Sequence, residues 1–222
     1  MRKHLFKSVR WTALAGLACL AAVAGRVYAD GEGAFLNTDI GASFVTGLPS
    51  GAHVDPGVRF NLAPGYRIYN DDTMAVSLQF ETGVIWNHVR DSFGGGFNQV
   101  QMGPQVGLGE PPHTDLYQVP FMAGVEYSFH TGTLVEPYIG VAGGGVYTDW
   151  ASYWGGDEGP GDGRLEHHQT SVSGAGQGAA GVRFKLNDHF ELGVGYKFLA
   201  CFPNDVDYLG THSVLATFTW RF

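Results

Sequence analysis

The chain has 222 residues, with 13 Lys and Arg against 21 Asp and Glu, and only 15% of its residues are charged. Five of the bases (Arg2, Lys3, Lys7, Arg10 and Arg26) and none of the acids lie in residues 1–29, so the segment from residue 30 onward carries eight bases against 21 acids, a net charge of −13. That balance argues against nucleic acid as a partner and against polybasic attachment to anionic lipid.

The first element is a secretory signal peptide. "MRKHLFKSVRW" is basic, "TALAGLACLAAVAG" is an apolar run, and Val27-Tyr28-Ala29 forms a small-x-small site before Asp30. The expected division is a cleaved leader over 1–29, cut between Ala29 and Asp30, and one domain over 30–222. Cys201 is then the sole remaining cysteine, so no internal disulfide forms. No later segment has the ~20 consecutive apolar residues of a transmembrane helix.

From residue 38 onward the apolar residues recur with a period of two. The pattern predicts eight strands, near Thr38–Thr46, Gly57–Ile68, Met74–Asn87, Leu116–Phe129, Leu134–Tyr147, Thr170–Leu186, His189–Ala200 and Thr211–Phe222. In the third, Val76, Leu78 and Phe80 alternate with Ser77, Gln79 and Glu81. In the seventh, Phe190, Leu192, Val194, Tyr196 and Phe198 alternate with Glu191, Gly193, Gly195 and Lys197. The links Tyr69–Thr73, His130–Thr133 and Asn187–Asp188 are short, whereas Gly47–Pro56, His88–Asp115, Thr148–Gln169 and Cys201–Gly210 are long and rich in Gly, Pro and Asp. Short turns on one rim and long loops on the other describe an outer-membrane barrel with its long loops outside.

The ionisable residues separate with the pattern. When the large apolar side chains are set outward, Arg59, Arg67, Glu81, Glu126, Glu136, Arg183, Lys185, Glu191, Lys197 and Arg221 all fall on the other face. A charge facing lipid at mid-depth costs roughly 2–4 kcal/mol, and lipid therefore enforces such a separation. Six bases and four acids inside an eight-stranded barrel, just wide enough for its side chains to fill, predict a lumen plugged by buried ion pairs. A narrow pore with a charged lining is the alternative.

The closing strand "THSVLATFTWRF" places Val214, Ala216, Phe218, Trp220 and Phe222 on one face. It is expected to pair with the first strand, because an open edge in hydrocarbon costs several kcal/mol per unsatisfied group. "YQVPFMAGVEYSF", "EPYIGVAGGGVY", "GAAGVRFKLNDHFELGVGYKF" and this last strand together resemble the small outer-membrane barrels of the OmpA/OmpX and opacity-porin type. The resemblance implies an all-β, eight-stranded antiparallel up-and-down barrel in the outer membrane. It further implies that Phe218, Trp220 and Phe222 form a signal for the barrel assembly machinery, and that the partners are outer-membrane lipid and lipopolysaccharide. Members of that class serve as anchors, adhesins, narrow pores and enzymes.

Sites of chemistry are few. "GQGAAG" at Gly176–Gly181 fits a dinucleotide fingerprint but continues into the strand "VRFKL" where a helix is needed, so a mechanical role for its glycines is expected. The long loops and their flanks carry Asp55, Asp91, Glu110, Asp115, Asp149, Asp157, Glu158, Asp162, Glu166, Asp205 and Asp207 against Arg90 and Arg164. "GGDEGPGDG" lacks calcium-loop spacing, and the reading is a solvated, repulsive surface with no specific metal. His53, His88, His113, His167, His168 and His212 lie in or beside those loops, and adjacent His167 and His168 cannot aim at one ion from a strand. Trp150, Tyr153, Trp154 and Tyr208 are expected in the outer aromatic girdle, or else in a contact patch for a partner. His212-Ser213 invites a hydrolase, but neighbours on a strand face opposite ways. The sequence therefore reads as a non-enzymatic surface protein without cofactor. A narrow channel is the second reading and a lipid-modifying enzyme the third.

Overall fold

The computed structural model describes residues 33–47, 53–90, 113–154, 165–202 and 208–222. Its strands are β1 (Ala34–Thr46), β2 (His53–Val54), β3 (Gly57–Asn70), β4 (Met74–Arg90), β5 (His113–Phe129), β6 (Val135–Trp154), β7 (Leu165–Lys185), β8 (Phe190–Cys201) and β9 (Leu209–Arg221). Each of the eight long strands pairs antiparallel with two long neighbours, and the two-residue β2 lies against β4. The ring closes where β9 meets β1, from Phe35 opposite Arg221 to Thr46 opposite Gly210. Closure satisfies both edges of the sheet, as hydrocarbon demands.

The alternation read from the sequence decides which face is which. Ile40, Phe60, Leu78, Val194 and Phe218 are exposed on the outer wall, and Val141 and Val172 reach 66% and 73%. Values this high for β-branched residues at mid-strand mark a surface meant for lipid. Aromatic rings border the band. Phe190 lies 5.6 Å from Phe218 and 5.8 Å from Trp220, which stacks on Phe222 at 5.0 Å. At the other border Trp86 and Tyr117 stack at 6.5 Å.

The two rims differ in height. β4 to β7 run on past the expected ends, so that Thr148–Trp154 and Leu165–Gln169, expected in a loop, are paired strand from Thr148–Ser171 to Trp154–Leu165. By contrast, the β7–β8 pairing stops at Ala175 opposite Cys201. A wall of four strands therefore stands above the β8–β9–β1 side. The Gly- and Asp-rich stretch that suggested a loop, residues 155–163, lies outside the described residues, and the segments on either side of it pair with each other.

The extra strand turns Trp150 inward, half-buried against the core, and not into a girdle or an outer patch. Tyr208 packs 6.1 Å from Phe202. The side chains of Tyr153 and Trp154 lie outside the described residues. The glycine reading is corrected in part. A Cβ at Gly181 would come within 2.6 Å of Tyr138 Oη, so this glycine does make room for an interior ring. At Gly174, Gly176 and Gly178 a Cβ would meet open space.

Candidate functional site

The lumen holds the inward-facing charges in storeys. Nearest the short turns, Glu136 accepts Lys185 Nζ at 2.5 Å and lies 2.5 Å from His130 Nδ1, with Arg221 Nη2 at 3.6 Å. Arg221 also pairs with Glu191. One storey up, Arg183 grips Glu126 with two parallel bonds of 2.5 and 2.6 Å. Its guanidinium lies 4.1 Å from the centre of the Tyr138 ring.

At mid-height Arg59, with no exposed surface, donates to Glu81 Oε1 at 2.7 Å, Gln177 Oε1 at 2.6 Å and Ser213 Oγ at 3.3 Å. Lys197 bridges Glu81 and Asp39, at 2.6 Å from the latter. Gln177 Nε2 donates to the second oxygen of Glu81 at 3.1 Å. Strand geometry explains this convergence. Alternate residues of β3, β4, β7 and β8 point to one axis, and an eight-stranded barrel brings opposite walls within reach of an arginine.

The sequence placed Arg59, Arg67, Glu81, Glu126, Glu136, Arg183, Lys185, Glu191, Lys197 and Arg221 on one face, and the structure sets all ten on the inner side. Nine of them stand in ion pairs with one another or with Asp39 and His130. Arg67 is the tenth, with its hydrogen bond to Asn70 Oδ1 at 3.4 Å. Asp39 was missed because the first strand is blurred by glycine and alanine. Gln177 and Ser213 were missed because neutral polar residues carry no sign to pair.

The expected ion pairs occupy the short-turn half, and the long-loop half is filled by something the sequence reading did not name. There Ile85, Val89, Leu116, Met122, Val146, Leu199, Cys201 and Leu209, each 0–2% exposed, form one apolar cluster inside the barrel. The signal was present: "LACF" and "NHV" break the polar turn of the alternation where β8 and β4 reach the upper rim. Two hydrogen-bonded pairs are embedded there, Thr211 Oγ1 to Gln118 Oε1 at 2.8 Å and Ser43 Oγ to Asn87 Oδ1 at 3.0 Å. Cys201 is a buried thiol within this cluster.

The other candidate residues scatter. Ser213 faces the lumen, while His212 faces out, with its Nδ1 2.5 Å from Tyr196 Oη and its ring against Phe198. That pair therefore makes no nucleophile and base. His88 meets Asp115 at 3.0 Å and His168 meets Asp149 at 3.2 Å on the outer wall above the aromatic border. Among the described residues no three His, Cys, Asp or Glu could hold a metal ion. Asp91, Glu110, Asp157, Glu158, Asp162, Arg164, Asp205 and Asp207 lie outside the described residues, as do Ala29 and Asp30 at the expected cleavage point. So do the side chains of His53, Arg90, His113, Glu166 and His167.

A closed antiparallel ring, apolar outside and ion-paired inside, with girdles at both borders, is an integral barrel of the outer membrane. The chain belongs to the outer membrane protein beta-barrel domain family, whose model matches residues 13–222. Among solved structures it is similar to Neisserial surface protein A, at 18% identity and a TM-score of 0.55, over 87% of this chain and 100% of that one. It is also similar to Ail, the attachment invasion locus protein of Yersinia pestis, at 14% identity and a TM-score of 0.46, over 86% of this chain and 100% of that one. The outer membrane enzyme PagL is similar at 13% identity and a TM-score of 0.39, over 82% of this chain and 97% of that one. No curated protein matches the chain.

Proposed function

We propose that this barrel is a non-enzymatic surface protein, acting through the wall and loops at its long-loop end in envelope integrity or adhesion-like contact. The observation that carries this reading is the filled lumen. Ion pairs fill the short-turn half, and the apolar cluster around Leu116, Leu199 and Leu209 occupies the other half. An apolar layer resists the passage of both ions and water, and this disfavours a conduit. Interaction is then left to the outer end, where β4 to β7 stand tall and where, among the described residues, β7 from Leu165 to Gly174 pairs with β6 alone, its β8 pairing beginning at Ala175. Unpaired strand edges accept extended segments of other chains. Partners in this reading are lipopolysaccharide around the upper border, the assembly machinery acting on Phe218, Trp220 and Phe222, and an extracellular protein at the wall.

The test is single-channel conductance of the folded protein in a planar bilayer, read beside a widened variant. Silence from the native protein, with discrete steps from Leu116→Ala combined with Leu199→Ala, supports the sealed lumen. Reproducible steps from the native protein overturn it and make the interior charges a selectivity lining.

A further inference from the structure

The short-turn mouth has a basic feature that the lumen network leaves over. A cavity of about 400 Å³ opens there, lined among others by Phe35, Arg67, Ile68, Asp188, Arg221 and Phe222. At this rim Glu136 is taken by Lys185 and His130, and Glu191 by Arg221. Among the described residues no carboxylate lies within salt-bridge distance of Arg67, which is half-buried and holds only the long bond to Asn70. Arg221 Nε is likewise buried and without a partner. Two guanidiniums therefore border one cavity, one of them with no carboxylate within salt-bridge distance among the described residues. An anion between them relieves their repulsion, and the fork of an arginine matches the oxygens of a phosphate.

The position of the cavity narrows the ligand. Ile68 and Phe222, 54% and 45% exposed, belong to the lipid-facing wall, whereas Asp188 belongs to a turn beyond the membrane. The cavity thus straddles the boundary at which phospholipid headgroups lie. Its lining offers two cationic side chains and, at Asp188, a side-chain carboxylate that accepts hydrogen bonds from an ammonium. We propose that this cavity seats the headgroup of a primary-amine phospholipid, with the phosphate on Arg67 and Arg221 and the ammonium toward Asp188. A quaternary ammonium lacks the N–H donors that Asp188 would accept, and a glycerol headgroup lacks the charge.

Native mass spectrometry of the full protein in detergent, doped with dioleoyl-phosphatidylethanolamine, -phosphatidylcholine or -phosphatidylglycerol, tests this. Retention of the ethanolamine lipid at about tenfold lower concentration than the choline lipid is expected. Arg67→Gln should abolish that retention while the unboiled band on a gel still runs fast, and Asp188→Asn should make the ethanolamine and glycerol lipids equal. Equal retention of all three lipids by the native protein and by R67Q overturns the proposal. Binding of inorganic phosphate to the native protein with no retention of any of the three lipids also overturns it, in favour of a free anion. Asp30 and Glu32 closely precede Gly33 in the sequence. Retention that appears only in D30N/E32Q overturns it too, assigning the arginines to the chain's own acids.

Discussion

The two halves of the lumen are built from the same eight strands yet stabilised by opposite means. In the short-turn half buried charges pair both with a neighbouring strand, as Arg59 does with Glu81, and across the lumen, as Lys197 does with Glu81, so each depends on particular partners. Arg59 and Gln177 are 118 residues apart, and Lys197 and Asp39 are 158 apart. In the long-loop half, Leu116, Leu199 and Leu209 ask only for apolar neighbours of the right volume. The difference teaches that a barrel interior is not one environment. Its ionic half is specific and brittle to loss of one partner, and its apolar half is tolerant of identity but costly to hollow out.

The strongest way to break that contrast is to strand a charge. Glu81→Ala removes the carboxylate paired with Arg59 and one of the two that hold Lys197, and should lower stability by about 3–5 kcal/mol. Urea unfolding in lipid vesicles measures it, and an unchanged midpoint would show that water replaces the carboxylate. Glu126→Ala should act alike on Arg183, whereas replacing Glu126 and Arg183 together with leucine and methionine should restore most of the loss.

In the apolar half, Leu116→Ala should cost about 2–5 kcal/mol, with no rescue by a second change across the axis. A compensating partner there would erase the distinction between the halves. Between the two extremes stands Gly181→Ala, where the new methyl meets the Val194 carbonyl oxygen as well as Tyr138 Oη. A loss of about 1–3 kcal/mol is expected, recovered in part when Tyr138→Phe removes the oxygen. On the outer wall, Gly176→Ala enters open space and should leave stability within about 0.5 kcal/mol of the native protein.

The smallest effect belongs to the turn outside both halves. Tyr69 Oη, Met74 N–H, and Thr73 through its N–H and hydroxyl all donate to Asp71, holding its carboxyl well below the usual carboxylate range. A depressed carboxylate contributes stability above its unfolded pKa, and this is lost as pH falls through the folded value. Asp71→Asn should therefore flatten the acid limb of a stability–pH curve, slightly, and leave the curve above pH 6 unaltered in shape.

Much of this architecture was legible because a strand between lipid and lumen alternates its faces. Period-two alternation and the charge separation follow from lipid on one side, so the chain could be placed as a barrel and ten of its inner charges named from order alone. The ends of β6 and β7 were misread because Gly and Asp between them carry loop statistics, while their actual state depends on each strand pairing with the other. Trp150 was misplaced with them, since an aromatic beside a presumed loop reads as girdle until the strand continues and fixes its face.

What the sequence determined by itself is therefore local and periodic: which residues alternate, which face each takes, and where short and long connections fall. Only the tertiary structure decided which charges meet, which half of the lumen is apolar, and that Arg67 has no carboxylate within salt-bridge distance among the described residues. Those facts depend on strand register and shear around a closed ring, which bring together residues more than a hundred positions apart. No spacing along a single strand records that distance.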